Sequence, residues 1–221
     1  MTSRALVIGA SGGIGAALCS DLAGKGSEVT RLSRASDGFD LTDASRVQSL
    51  MDGLEGQFDT VLIASGILAP VGERPERSLS EIDADNMARV LAVNAIGPAL
   101  VLRHLPRILP GNDRSVVGVL TARVGSIGDN RLGGWYSYRA AKAAANQIVH
   151  TAAIEIARKR KHAVVVALHP GTVQTPFTDA YPGHRKVSAE GAASNIISVL
   201  DRLTPAESGG FFDWTGKSVP W

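Results

Sequence analysis

The sequence predicts a single α/β domain on a doubly wound parallel sheet, and three observations carry that prediction. Short apolar, β-branched runs alternate with longer helical stretches along the chain. Those runs are apolar throughout rather than at every second residue, as strands covered on both faces are. The chain's 221 residues, 44% hydrophobic and 20% charged, suffice for one packed domain over 1–221 and fall short of two.

The elements follow in order. "RALVIG" at 4–9 is the first strand, and a helix is expected over 13–24. "SEVTRLS" at 27–33 is the second strand, followed by a helix over 43–54. After "DTVLIAS" at 59–65 comes a long helical segment, 83–109. Its "GP" at 97–98 and further proline at 106 predict a kink or break, because proline removes a backbone donor and crowds the preceding turn. "RSVVGVL" at 114–120 leads to an alanine-rich helix over 136–160, and "HAVVVAL" at 162–168 is the next strand. The stretch 169–187 is the longest without a period, and it follows a strand end, where open α/β sheets bind ligands. A helix over 188–203 and "GGFFDW" at 209–214, a candidate edge strand, complete the chain. There is no repeat, low-complexity tract or linker.

Composition excludes several function classes. A net charge of +2 offers no nucleic-acid footprint, and the one basic cluster, "RKRKH" at 158–162, sits where a helix C-terminus favours cations. The single cysteine, Cys19, excludes an intramolecular disulfide and a cysteine-rich metal site, so no metal is expected. No charged start leads into a long apolar segment, and nowhere do 18 apolar residues run together. The expectation is a soluble cytoplasmic protein with no membrane partner.

"GASGGIG" sets Gly9, Gly13 and Gly15 between the first strand and the first helix. In that context one glycine permits a tight turn, one lets backbone approach a pyrophosphate, and one lets helix and strand pack closely. The helix start adds free N–H groups, and Ser11 adds a hydroxyl. The spacing, three residues then one, differs from the G-x-G-x-x-G of many dinucleotide sites. Farther along, "YSYRAAK" places Tyr138 and Lys142 four residues apart in a helical run, hence on one face about one turn apart. A free phenol has a pKa near ~10, and an ammonium beside it is expected to pull that value toward working pH.

"GASGGIG", "VNAIGP" at 93–98, "YRAAK" and "HPGTVQTP" at 169–176, in this order, resemble the short-chain dehydrogenase/reductase family over about 4–175. "VGSIGDNRLGGWYSYRAAKAAANQ" and the ending "FFDWTGKSVPW" are similar to its C-factor-like branch, which also resembles the sniffer carbonyl reductases. The resemblance implies a Rossmann-like fold and hydride transfer between a nicotinamide and a small or medium carbonyl or alcohol substrate. It makes Tyr138 the general acid/base, Lys142 its helper and hold on the nicotinamide ribose, and Asn94 the keeper of a local helix break. A nucleotide-binding signalling or scaffold protein of the same fold is the alternative.

Two positions depart from the family pattern. The expected serine after the fourth strand is missing from "SVVGVLTARVG": alignment by the strand puts Thr121 there, alignment from Gly125 puts Ala122 there. Thr121 keeps a donating hydroxyl and is preferred, with Ser126 in reserve. "LIASG" at 62–66 replaces two asparagines by Ile63 and Ala64, leaving Ala64, Ser65 and Gly66 as backbone for the adenosine ribose.

The resemblance also distributes the cofactor contacts. Gly9, Ser11, Gly13, Ile14 and Gly15 lie at the phosphates, and Asp40 and Leu41 at the adenine. Pro170, Gly171, Thr172, Val173 and Thr175 lie at the carboxamide, beside Tyr138 and Lys142. "RLSR" has Ser33 and Arg34 where an acidic residue would meet a ribose 2′-OH, so NADP is expected over NAD. His169 is expected to be a core or strand-end residue. Phe177, Tyr181, Trp135 and Tyr136 are candidate apolar walls, and His184, Arg185 and Lys186 are solvated loop charges or attractors of an acidic substrate. A homodimer or homotetramer through the alanine-rich helix is expected.

Overall fold

The computed structural model describes residues 2–178 and 186–221. Six strands form one parallel sheet: β1 (Arg4–Ile8), β2 (Glu28–Leu32), β3 (Thr60–Ile63), β4 (Ser115–Leu120), β5 (Ala163–His169) and β6 (Phe211–Asp213). Their order across the sheet is β2-β1-β3-β4-β5-β6. All six residues of β4 and the first six of β5 are buried, which explains their unbroken apolar sequence. The expected edge strand is β6, parallel to β5 with Ala167 opposite Phe211 and His169 opposite Asp213.

Helices cover both faces. On one, α1 (Gly13–Gly24) and α8 (Ala189–Arg202) pack with Ala5, Val7, Leu62, Val164 and Val166. On the other, α3 (Ala44–Asp52), α5 (Gly97–Leu102), α6 (Leu105–Ile108) and α7 (Tyr136–Ala157) pack with Leu6, Ile8, Val117, Val119 and Val165. The alternation of neighbouring strand residues between the two clusters is the period-2 pleat, apolar on both sides.

Two local features refine the sequence expectation. The segment expected as a kinked helix over 83–109 is α4 (Ala84–Leu91), a π-helical turn (Ala92–Ile96), α5 and α6. Gly97 lets the broken helix approach Leu41 closely, because a Cβ there would lie 2.6 Å from the Cβ of Leu41. A short helix that the sequence reading missed, α2 (Arg34–Asp37), follows β2; Ser33 caps it by accepting from the Ser36 N–H, and Gly38 closes it at φ 63°.

Strand order reverses between β1 and β3, so the connections leaving their carboxyl ends diverge and open a crevice. Among the described residues, no helix is long and apolar enough to cross a membrane.

Candidate active site

The glycine turn forms one wall of that crevice. Gly9 turns at φ 85°, and a Cβ on it would come within 2.9 Å of the Ala64 carbonyl carbon. Gly15 has no room for any side chain: its Cβ would sit 2.1 Å from the Gly9 carbonyl oxygen, so α1 starts hard against the end of β1. Gly12 precedes α1 with no side chain to cap it, leaving first-turn N–H groups facing the crevice. The crevice has a volume of about 390 Å³ and is bordered there by Ser11, Gly13 and Ile14, and opposite by Ala64, Ser65 and Gly66.

The other end holds the ionisable groups. Tyr138 and Lys142 project from the first two turns of α7 into the crevice, 6% and 4% exposed. The Lys142 ammonium donates to the Leu120 carbonyl at 3.1 Å and lies 5.6 Å from the Tyr138 ring centroid. Burial decides both pKa values. It pushes the Tyr138 phenol well above its ordinary range and draws Lys142 down to about 8. The ammonium was expected to lower the phenol; the shift runs the other way, set by burial, and Tyr138 holds its proton. Trp135 stands edge-on to the Tyr138 ring at 6.1 Å and Phe177 packs at 5.9 Å, so both are the walls that were expected.

Asn94 lies in the π-helical turn, 1% exposed and fully engaged. Its Nδ2 donates to the carbonyls of Ile67 and Val90 at 2.8 and 3.0 Å, and its Oδ1 accepts from the Ile67 N–H at 3.2 Å. The side chain thus ties the widened turn to the loop after β3. Gly66 makes the approach possible, since a Cβ there would fall 2.8 Å from Asn94 Oδ1 and 3.3 Å from Lys142 Nζ.

At the end of β4 the two candidate hydroxyls separate. Thr121 borders the crevice, and its Oγ1 is itself buried from solvent with no hydrogen-bond partner among the described residues. Ser126, held in reserve, donates its hydroxyl to the Pro220 carbonyl and accepts from the Asp129 N–H, so it fastens the C-terminal tail. Ala122 borders the same crevice with no polar atom in its side chain.

Pro170, Gly171, Val173 and Thr175 complete the crevice, with Gly171 at φ 82°. Thr172 instead borders a neighbouring cavity of about 430 Å³, which shares Tyr138, Phe177 and His169 with the crevice. His169 stands at the end of β5; burial draws its pKa down to about 4, and its Nδ1 has no partner among the described residues. Lys186 donates to the Thr178 carbonyl, while Tyr181, His184 and Arg185 fall outside the described residues.

The residues expected at an adenosine lie where β2 ends. Ser33 is not the free donor that the sequence suggested: it is 4% exposed, and its hydroxyl caps α2. Arg34 is exposed at the first position of that helix. Asp40 Oδ1 accepts from the Thr42 N–H and hydroxyl, bonds that hold its carboxyl below the usual range. The Leu41 side chain is in the core against Gly97, leaving only its backbone for a ligand.

Sequence reasoning missed Glu76. Its buried carboxylate accepts from the N–H and hydroxyl of Ser137, at the start of α7, where Trp135 at φ 53° supplies no side-chain cap. A partner 61 residues upstream leaves no local signal.

A family model described as enoyl-(acyl carrier protein) reductase matches residues 30–210. The chain belongs to the short-chain dehydrogenase/reductase family. A 1-hydroxy-2-glutathionyl-2-methyl-3-butene dehydrogenase of Rhodococcus sp. is 32% identical, covering 99% of this chain and all of the relative. C-signal of Myxococcus xanthus is 38% identical over 65% of this chain and 84% of its own length. Among solved structures, a carbonyl reductase from Pseudomonas aeruginosa PAO1 in complex with NADP superposes over all of both chains with a TM-score of 0.82 at 23% identity. The carbonyl reductase Sniffer of D. melanogaster gives 0.79 at 19%, again over the whole of both chains. The structural likenesses show the fold, and the family model and the Rhodococcus relative support a general oxidoreductase character.

Proposed function

We propose that this family member is an NADP(H)-dependent reductase of small or medium carbonyl compounds, with Tyr138 as the general acid in reduction and general base in alcohol oxidation. The observation that carries the reading is the meeting of a proton-bearing Tyr138, Lys142 and Thr121, whose buried hydroxyl has no partner among the described residues, around one crevice that opens at the first turn of α1.

The residues present fit a nicotinamide dinucleotide. The turn has no side chain at Gly12 or Gly13, and a Cβ on Gly13 would meet Thr175 at 2.7 Å, so the cradle stays open for backbone N–H contacts. Gly13, Ile14, Ala64, Ser65, Gly66, Pro170 and Gly171 would hold it, with Arg34 favouring a 2′-phosphate. When bound, the nicotinamide supplies or accepts the hydride. Tyr138 delivers its proton to the carbonyl oxygen, and because burial keeps the phenol neutral the donor is loaded at neutral pH. Thr121, once its buried hydroxyl turns toward the crevice, donates to the same oxygen and fixes its position, while the Lys142 cation stabilises negative charge building on that oxygen. Trp135 and Phe177 exclude water from Tyr138.

A second reading, a signalling protein in which turnover is incidental, gains from the likeness to C-signal and from the alanine at 122. One variant separates the two. Tyr138→Phe is expected to keep NADPH binding, read by cofactor fluorescence, and to lower carbonyl reduction by roughly 10²–10⁴-fold. Unchanged reduction rejects the mechanism, and wild-type protein that leaves NADPH fluorescence unaltered rejects the enzyme reading.

A further inference from the structure

The cavity beside the crevice has a composition that the reductase reading does not explain. It shares Tyr138 with the crevice, and its walls include Leu68, Val124, Leu132, Trp135 and Phe177. Its ionisable neighbours are Arg123, Arg139 and His169, and no carboxylate borders it among the described residues. Cations set among apolar walls are costly unless an anion meets them, because desolvation raises the energy of an unpaired charge.

The cations differ in what they already hold. Arg123 is paired with Asp129 at 2.5 Å, and His169 is kept neutral by burial. Arg139 is half-buried, and its bonds go to backbone alone: Nε to the Gly134 carbonyl at 2.9 Å and Nη1 to the Val124 carbonyl at 3.2 Å. Those two bonds fix the guanidinium between the loop after β4 and the start of α7. They leave Nη2 and the full charge without an acidic partner among the described residues. Burial lowers its pKa, so the charge is held at a cost that an anion would relieve.

We propose that this cavity receives an anionic substrate, an apolar carbonyl compound or alcohol that carries a carboxylate, and that Arg139 binds the carboxylate while the reacting oxygen faces Tyr138. The proposal rests on the reductase reading for the identity of the reacting end. Arg139 and Tyr138 both border this one cavity, so a carboxylate held at Arg139 fixes the distance of the carbonyl from its proton donor. A carboxylate sets a full negative charge against the guanidinium, whereas an amide offers it only a neutral carbonyl, which selects acids over their amides.

Calorimetric titration with 4-phenylbutyrate and 4-phenylbutanamide tests the assignment without any turnover. The acid is expected to bind wild-type protein about tenfold or more tightly than the amide, a difference of about 1.4 kcal/mol. Arg139→Met is expected to bring the two within about twofold, and Arg139→Lys to retain part of the difference, as a point charge replaces a fork. Equal binding of acid and amide to the wild type, binding of neither, or a preference that survives Arg139→Met overturns it. Because Arg139 also ties two carbonyls, melting curves accompany each variant; should Arg139→Met fail to fold, the wild-type pair and Arg139→Lys decide. Failure of the Tyr138→Phe trial would reject the reductase reading and leave this titration's outcome standing, and the reverse holds equally.

Discussion

Asn94 and Thr121 both lie close to Lys142, yet they use polar chemistry in opposite ways. In the interrupted helix 84–102, the Asn94 amide meets three backbone groups and binds the widened turn to the loop after β3. At the ends of β4 and β5, Thr121 Oγ1 and His169 Nδ1 are buried with no partner among the described residues. A buried polar atom that is satisfied stabilises the fold, whereas one left unsatisfied costs free energy until a ligand meets it. The same contrast recurs beyond β2, where the Ser33 hydroxyl caps α2 and the neighbouring Arg34 is exposed to solvent. The difference teaches which polar residues build the site and which wait in it.

The largest effect that would sharpen the contrast is expected at Asn94. Asn94→Ala strands the Ile67 N–H and the carbonyls it answered, and should cost about 2–4 kcal/mol in chemical denaturation. A loss under about 0.5 kcal/mol would show that water replaces the amide.

Lys142 comes next, with the opposite sign. Its pKa falls from 10.5 to about 8 on folding, so the cost of burying the ammonium is absent above 10.5, grows as pH falls, and is complete below about 8. In cofactor-free protein Lys142→Met should therefore gain roughly 1–3 kcal/mol at pH 7, after losing the bond to Leu120, and the gain should vanish near pH 10.5. Melting temperatures across that range that shift in parallel for both proteins would contradict the buried-ammonium account.

Thr121→Val should leave stability within about 1 kcal/mol, since no bond is lost, while lowering carbonyl reduction about 10–100-fold. A stability loss matching that of Asn94→Ala with unchanged reduction would erase the distinction between the two regions. Smallest is the pair beyond β2. Ser33→Ala should cost about 1 kcal/mol of stability through the lost cap. Arg34→Ala should weaken NADPH about tenfold and leave NADH affinity as it was. Equal weakening of both cofactors would remove Arg34 from any 2′-phosphate contact.

Much of the frame was legible because its causes are local. The apolar runs marked five strands correctly and the glycine-aromatic ending marked the sixth, and the GP at 97–98 announced a break that the structure realises as a π-helical turn. Helix α2 escaped notice because four residues carry no period; its signal was the cap residue Ser33, read instead as a cofactor contact. Thr121 and Ser126 were both plausible hydroxyls in sequence, and only the Pro220 carbonyl, 94 residues on, separates them. Glu76 and Arg139 gave no warning, since Glu76 belongs to no spacing pattern and Arg139 fills a variable position between Tyr138 and Lys142.

The sequence by itself determined the succession of buried parallel strands, the open glycine turn and the shared helix face of Tyr138 and Lys142, because each follows from backbone geometry over a few residues. Tertiary structure alone decided which side chains are answered and which are left waiting. It also decided that desolvation, not the neighbouring ammonium, governs the Tyr138 phenol. The reason is physical: burial and long-range partners depend on where distant segments return to the sheet, and no spacing within one segment encodes that path.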